Sequence, residues 1–159
     1  SKTSEIMLGV SFRTNSKLLS KRINRFFKEI PDIATQGVKQ SAFLLKQIIL
    51  QRTAKGRGLR GAFFGYSQSY KEYLNKIGAP SVVDLRLTGD MLGSIQTKLI
   101  NKRKASIYFG RKTEEEKAIR ITRDQDRPFF GYTDKEGKFI TKQFNIFAKK
   151  ELRKKWGRR

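Results

Sequence analysis

The chain has 159 residues, with 36 Lys or Arg against 14 Asp or Glu, a net charge of +22. It contains neither Cys nor His, which excludes disulfides, zinc ribbons, thiol catalysis and every acid–base or metal mechanism that uses histidine. An apolar share of 37%, including 12 Phe and 5 Tyr, gives a chain of this length enough to bury one core, so 1–159 reads as a single domain.

A field of one sign gathers polyanions, so nucleic acid, anionic membrane and acidic protein surfaces are the partner classes to weigh. A basic background without a single binding site is the plainer alternative. The apolar stretch Ile6 to Phe12 is too short for a signal-peptide core. The longest apolar segment, Ala42 to Leu50, is broken by Lys46 and Gln47 and cannot span a bilayer. No membrane partner and no targeting segment are expected, and synthesis in a reducing cytoplasm is.

In chain order, the alternation across residues 6–13 predicts a strand with Leu8, Val10 and Phe12 facing inward. Ser16 is a suitable N-cap for a basic amphipathic helix carrying Leu19, Ile23, Phe26, Phe27 and Ile30, which Pro31 ends. Its Lys and Arg face reads as a solvated surface or, less simply, an anion-binding face. From Ile33 to about Thr53, Val38, Ala42, Leu45 and Ile49 recur at helical spacing, widened by Leu44, Ile48 and Leu50. This is the strongest helix in the chain, suited to the core, to subunit packing, or to both.

Four glycines at 56, 58, 61 and 65 then stop the helix, and 54–66 reads as a Gly-rich aromatic loop. A Walker loop is excluded, because the Gly-Lys-Ser/Thr ending and the preceding strand are missing. Arg57, Arg60, Phe63, Phe64 and Tyr66 interleave cations with rings, a pattern that can clamp single-stranded nucleic acid. The alternative is a flexible loop whose aromatics tuck back onto the domain or onto a neighbouring subunit.

Ser67 to Ile77 predicts a short helix closed by Gly78 and Pro80, and Val82 to Leu87 a short strand. Thr88 is expected to cap one turn over Gly89–Leu92. Ser94–Ile100 and Ala105–Phe109 form a predicted hairpin joined by the four residues Asn101–Lys104, a basic tip of Lys102, Arg103 and Lys104 where charge also guards a sheet edge. Glu114, Glu115 and Glu116 read as an acid-rich helix N-terminus rather than a metal site, since consecutive helical side chains do not converge. Arg127-Pro-Phe-Phe-Gly131 is a rigid turn. Thr133 and Glu136 fit a capping box for a helix over about 134–154, with a hairpin through Asp134–Gly137 as the competitor. A basic tail follows over 149–159.

Three segments, in order, resemble the phage virion morphogenesis and tail-completion proteins of the head–tail interface. They are the long helix with its Gly-rich run into Phe64-Gly-Tyr-Ser67, then Leu87-Thr-Gly-Asp-Met-Leu-Gly-Ser-Ile95, and Asp126-Arg-Pro-Phe-Phe-Gly-Tyr-Thr133. The likeness covers roughly residues 36–152. It implies an α+β subunit, here a long core helix and further helices packed on a small antiparallel β-sheet, with a C-terminal helix. It also implies a virion location, a homo-oligomeric ring, hexameric by preference, between connector and tail tube, and no active site or cofactor. Phe63, Phe64, Tyr66, Arg127, Phe129 and Phe130 would then dock on neighbouring subunits, while the positive field faces channel DNA or acidic ring surfaces.

Two further classes stay open. In a nucleic-acid-binding protein of ribosomal or architectural type, Arg57, Arg60, Lys102, Arg103 and Lys104 would contact phosphates, with Phe64 or Tyr66 stacking. A carboxylate-only enzyme would need two acids brought together, and Asp90, Asp124 and Asp126 are the isolated candidates.

Overall fold

The computed structural model describes residues 10–11, 31–81, 83–85 and 89–156. It is α+β. In chain order the elements are β1 (Val10–Ser11), α1 (Pro31–Ala54), β2 (Arg57–Gly58), β3 (Gly61–Ala62), α2 (Gln68–Lys76), α3 (Asp90–Gly93), β4 (Ile95–Asn101), β5 (Lys104–Phe109), α4 (Lys112–Asp124) and α5 (Asp134–Trp156). Of the strand expected over 6–13, Val10 and Ser11 are described and form β1; the remainder, and the helix expected after Ser16, lie outside the described residues.

The fold gathers into two compact units, one of Ser1–Lys46, Gln96–Tyr108 and Thr133–Arg159, the other of Gln47–Ile95 and Phe109–Tyr132. In the first unit the sheet order is β1-β5-β4, and β1 pairs antiparallel with β5 through Val10 opposite Ile107. Strand β5 alternates as its sequence predicts, burying Ala105 and Ile107 on one face. Only Lys102 and Arg103 join it to β4, so that hairpin turn is shorter than the four-residue tip expected from sequence.

Helix α1 begins on Pro31, whose missing N–H is no loss in a first turn, and buries Ala34, Ala42 and Leu45 within this unit. Val38 is only half-buried; Gly37 takes the close approach instead. A Cβ on Gly37 would sit 2.5 Å from the Phe144 ring of α5. A mid-helix glycine costs about 0.5–1 kcal/mol against alanine, and here the aromatic packing it admits offsets that cost. At the start of α5 the Thr133 N–H donates to Glu136 Oε2 at 2.7 Å and the Glu136 N–H to Thr133 Oγ1 at 3.3 Å. This is the capping box read from sequence, and it decides for the helix over the hairpin. The helix continues through Trp156, so the first part of the basic tail is helical.

The second unit has Ile49, Leu74, Met91, Leu92, Ile95 and the Phe109–Phe129–Phe130 cluster at its centre. Here α1 stops at Gly56, whose φ of 69° is the left-handed C-terminal position that glycine fills without a Cβ clash. The run expected as a loop then makes a small hairpin, with Arg57 opposite Ala62 and Gly58 opposite Gly61. Helix α2 takes Ser67 as N-cap, its hydroxyl accepting from the Tyr70 N–H at 3.4 Å.

Two expectations are corrected. Val83, Asp84 and Leu85 carry no strand, and Leu85 has a φ of 58°, which breaks the extended backbone that a strand over 82–87 would need. The N-cap of α3 is Gly89, with φ 72° and no side-chain cap; Thr88 lies outside the described residues.

Candidate functional site: a basic aromatic groove

The Gly-rich hairpin and the Arg-Pro-Phe-Phe-Gly turn, far apart in sequence, are bound together in the second unit. The Leu59 N–H donates to the Pro128 carbonyl at 2.7 Å, and Arg60 pairs with Asp126 at 2.7 Å on the surface. Arg127 donates to the Phe64 carbonyl at 3.2 Å. From α1, Arg52 Nη2 donates to the carbonyls of Phe129 at 2.6 Å and Gly131 at 3.1 Å. One guanidinium nitrogen carries two N–H groups and can serve both carbonyls. Nothing in the sequence around Arg52 announces it.

The structure sorts the expected docking residues sharply. Phe129 is fully buried and Phe130 is 9% exposed, so both belong to the core and are not available for subunit docking. The reason is that Gly131, at φ 149°, turns the chain so that both rings pack on Phe109, with centroids 6.5 and 4.8 Å away. Phe64, by contrast, is 74% exposed. Phe63, Tyr66 and Arg127 are half-buried.

Tyr66 and Arg127 open onto a groove of about 720 Å³ in this unit, which Tyr70, Glu114, Lys117 and Arg120 also line. The Tyr66 and Tyr70 rings meet edge to face at 4.8 Å, and the Arg127 guanidinium lies 5.1 Å from the Tyr66 centroid. Glu114, on the first turn of α4, has a side chain only 5% exposed and accepts from Lys117 Nζ at 2.9 Å through Oε1. Glu114 and Glu115 lie in the first turn of α4, the acid-rich helix start read from sequence, and within it Glu114 is buried while Glu116 is exposed.

Burial pushes the Tyr66 phenol above its ordinary pKa of 10.0, with Tyr70 adding to the rise, Arg127 opposing it and Asp84 adding again. The folded state therefore holds this proton more tightly than the unfolded one. Its contribution to stability is complete below pH 10.0 and is lost as the pH rises through the raised folded value. Alkaline urea unfolding is expected to show this loss in the native chain and a shallower one in Tyr66→Phe. Equal slopes would contradict it.

The remaining polyanion candidates are placed as follows. Arg57 is exposed, and Arg60 is exposed but engaged by Asp126. Lys102 and Arg103 are exposed at the hairpin tip of the first unit, and Lys104 is half-buried in β5. The three isolated acids each face an arginine rather than another carboxylate: Asp90 meets Arg111 at 3.4 Å, Asp124 meets Arg123 at 2.7 Å and Asp126 meets Arg60 at 2.7 Å. Among the described residues no group of three or more acidic side chains could hold a metal ion, and no helix is long and apolar enough to cross a membrane. Comparison with protein-family models, with curated proteins and with solved structures finds no match to this chain.

Proposed function

We propose that the chain is a structural virion protein of a tailed phage, a tail-completion or head–tail joining subunit that assembles as a ring between connector and tail. The reading grows from the three-segment resemblance and from the α+β architecture it implied. The observation that carries it furthest is Phe64, a large ring left 74% exposed on a hairpin braced by Arg127 and by the Leu59–Pro128 bond. A large apolar ring in water on a braced backbone suits a docking anchor, since its burial on binding removes apolar surface from water and little backbone order remains to be lost. In the other unit Phe43, Ile100, Phe139 and Ile146 are each about half exposed and offer further apolar contact. Neighbouring connector and tail-tube proteins, and non-specific DNA in the channel, are the partners of this reading, and six is the favoured ring number.

Heads and tails assembled without the chain are expected to stay unjoined. The purified protein is expected to appear as rings by electron microscopy, and Phe64→Ser to shift it toward monomer with an unchanged far-UV circular-dichroism spectrum. A protein found only as a monomer on RNA would end this reading. A second reading, a basic nucleic-acid-binding protein, is favoured by the Tyr66–Tyr70–Arg127 groove.

A further inference from the structure

Among the described residues, the sheet order β1-β5-β4 leaves one edge of β4 without a partner strand. Such an edge presents a row of backbone N–H and C=O groups, which a protein either blocks or uses. Beside it, within the first unit, lies a groove of about 380 Å³ between Lys39, Ala42 and Phe43 of α1 and Thr97, Lys98 and Leu99 of β4. Three consecutive β4 residues line it although their side chains alternate between the two sheet faces, so the groove follows the strand edge. Its floor is apolar: Ala42 and Ala105 are buried there, and Phe43 stands 56% exposed at the rim. Its walls are positive, for no Asp or Glu occurs in 33–71 or in 91–113. Lys39 and Lys98 are exposed and carry no ion pair among the described residues.

We propose that the β4 edge takes an extended acidic segment of another protein as an added strand. The segment's backbone pairs with the outward N–H and C=O groups of β4, its apolar side chains cover Phe43, and its carboxylates meet Lys39 and Lys98. With seven residues, β4 pairs with a segment roughly 23 Å long. Two other occupants fit less well. A nucleic-acid backbone would satisfy the lysines, but phosphate oxygens only accept, so the edge carbonyls would stay unserved. A second copy of this chain is opposed by charge: Lys98 is central in Ile95–Asn101, and two β4 strands in antiparallel register would set it against itself. The inference is independent of ring assembly, since it is read from a peptide added to this one edge.

The test titrates the full chain with a fluorescein-labelled peptide of β4's length, composed of Glu, Val and Phe, and reads anisotropy and amide hydrogen exchange. Saturable binding is expected, with slowed exchange in 97–99. A peptide with Lys in place of Glu is expected not to bind, and N-methylation of alternate peptide nitrogens to weaken binding at least about tenfold, because it removes the donors that a strand needs. The double change Lys39→Glu and Lys98→Glu is expected to reverse the preference between the Glu and Lys peptides, and Phe43→Ser to weaken the Glu peptide about tenfold. Equal binding of the native and N-methylated peptides overturns strand addition. Affinity untouched by both sets of variants overturns the assignment to this groove. Amides in 97–99 that are already protected in the free chain, and unchanged by peptide, show that the chain covers its own edge and also overturn it. Oligo-dT that displaces the peptide and slows the same amides assigns the edge to nucleic acid instead. If a variant fails to fold, the N-methylation comparison on the native chain still decides.

Discussion

Phe129→Ala is expected to cost about 3–5 kcal/mol, a large part of the stability of a domain held by about 5–15 kcal/mol. The ring is fully buried and packs edge-on against Phe109 at 6.5 Å and Phe130 at 6.4 Å. Truncation would leave a cavity with little chance of collapse, because the flanking backbone is fixed by Arg52 on the Phe129 and Gly131 carbonyls. Urea unfolding followed by circular dichroism measures the loss. Phe129→Leu, which keeps most of the volume, is expected to cost under about 1.5 kcal/mol. Phe64→Ala is expected to stay within about 0.5 kcal/mol of native, its ring being already in water. Equal costs for Phe129→Ala and Phe64→Ala would refute the assignment of one to the core and the other to the surface.

Gly58→Ala has the second largest expected effect. At an unconstrained site, alanine for glycine stabilises by about 0.4–1 kcal/mol through the unfolded chain. At Gly58 the added Cβ would collide with the Pro128 carbonyl oxygen and come within 2.6 Å of the Phe63 ring. The ring can turn aside. The carbonyl cannot, since it accepts the Leu59 N–H at 2.7 Å and belongs to the turn that buries Phe129. The clash therefore outweighs the entropy gain, and a net loss of about 1–3 kcal/mol is expected. Hydrogen exchange at the Leu59 amide should rise with it, because the hairpin must part from the turn. Gly65→Ala provides the contrast: its nearest neighbour is the flexible Lys71 Nζ at 3.9 Å, and it should unfold close to native. If Gly58→Ala proved as stable as Gly65→Ala, the docking of hairpin on turn would be wrong.

Both predictions concern one place, where segments about seventy residues apart in sequence are bound. That long-range pairing is what periodicity cannot report. Sequence spacing placed α1, α2, the β4–β5 hairpin and α5 close to their observed bounds and marked the start of α4, because each has its own local signal. Pro31 opens α1, Gly56 closes it, Ser67 caps α2 and the Thr133–Glu136 box starts α5. The strand expected over 82–87 failed at its described residues because apolar alternation says nothing about a left-handed Leu85.

The site was less legible. The docking role of Phe129 and Phe130 comes from the resemblance alone, and two adjacent aromatics on a Pro turn look the same whether they face water or a core. Phe109 and Gly131 decide the matter only in three dimensions. Glu114 was read with Glu115 and Glu116 as one acidic cluster; the geometry of α4 buries it and leaves Glu116 in water.

The sequence by itself determined the chemistry available: a net charge of +22, no Cys or His, abundant rings beside cations, and helix ends written in Pro, Gly, Ser and Thr. These are properties of composition and of neighbours within about one turn. Only the tertiary structure decided which ring is exposed and which is core, that Arg52 holds the Phe129 and Gly131 carbonyls, and that Glu114 Oε2 is buried without a donor. Those outcomes depend on burial, which the whole fold sets and no local pattern encodes.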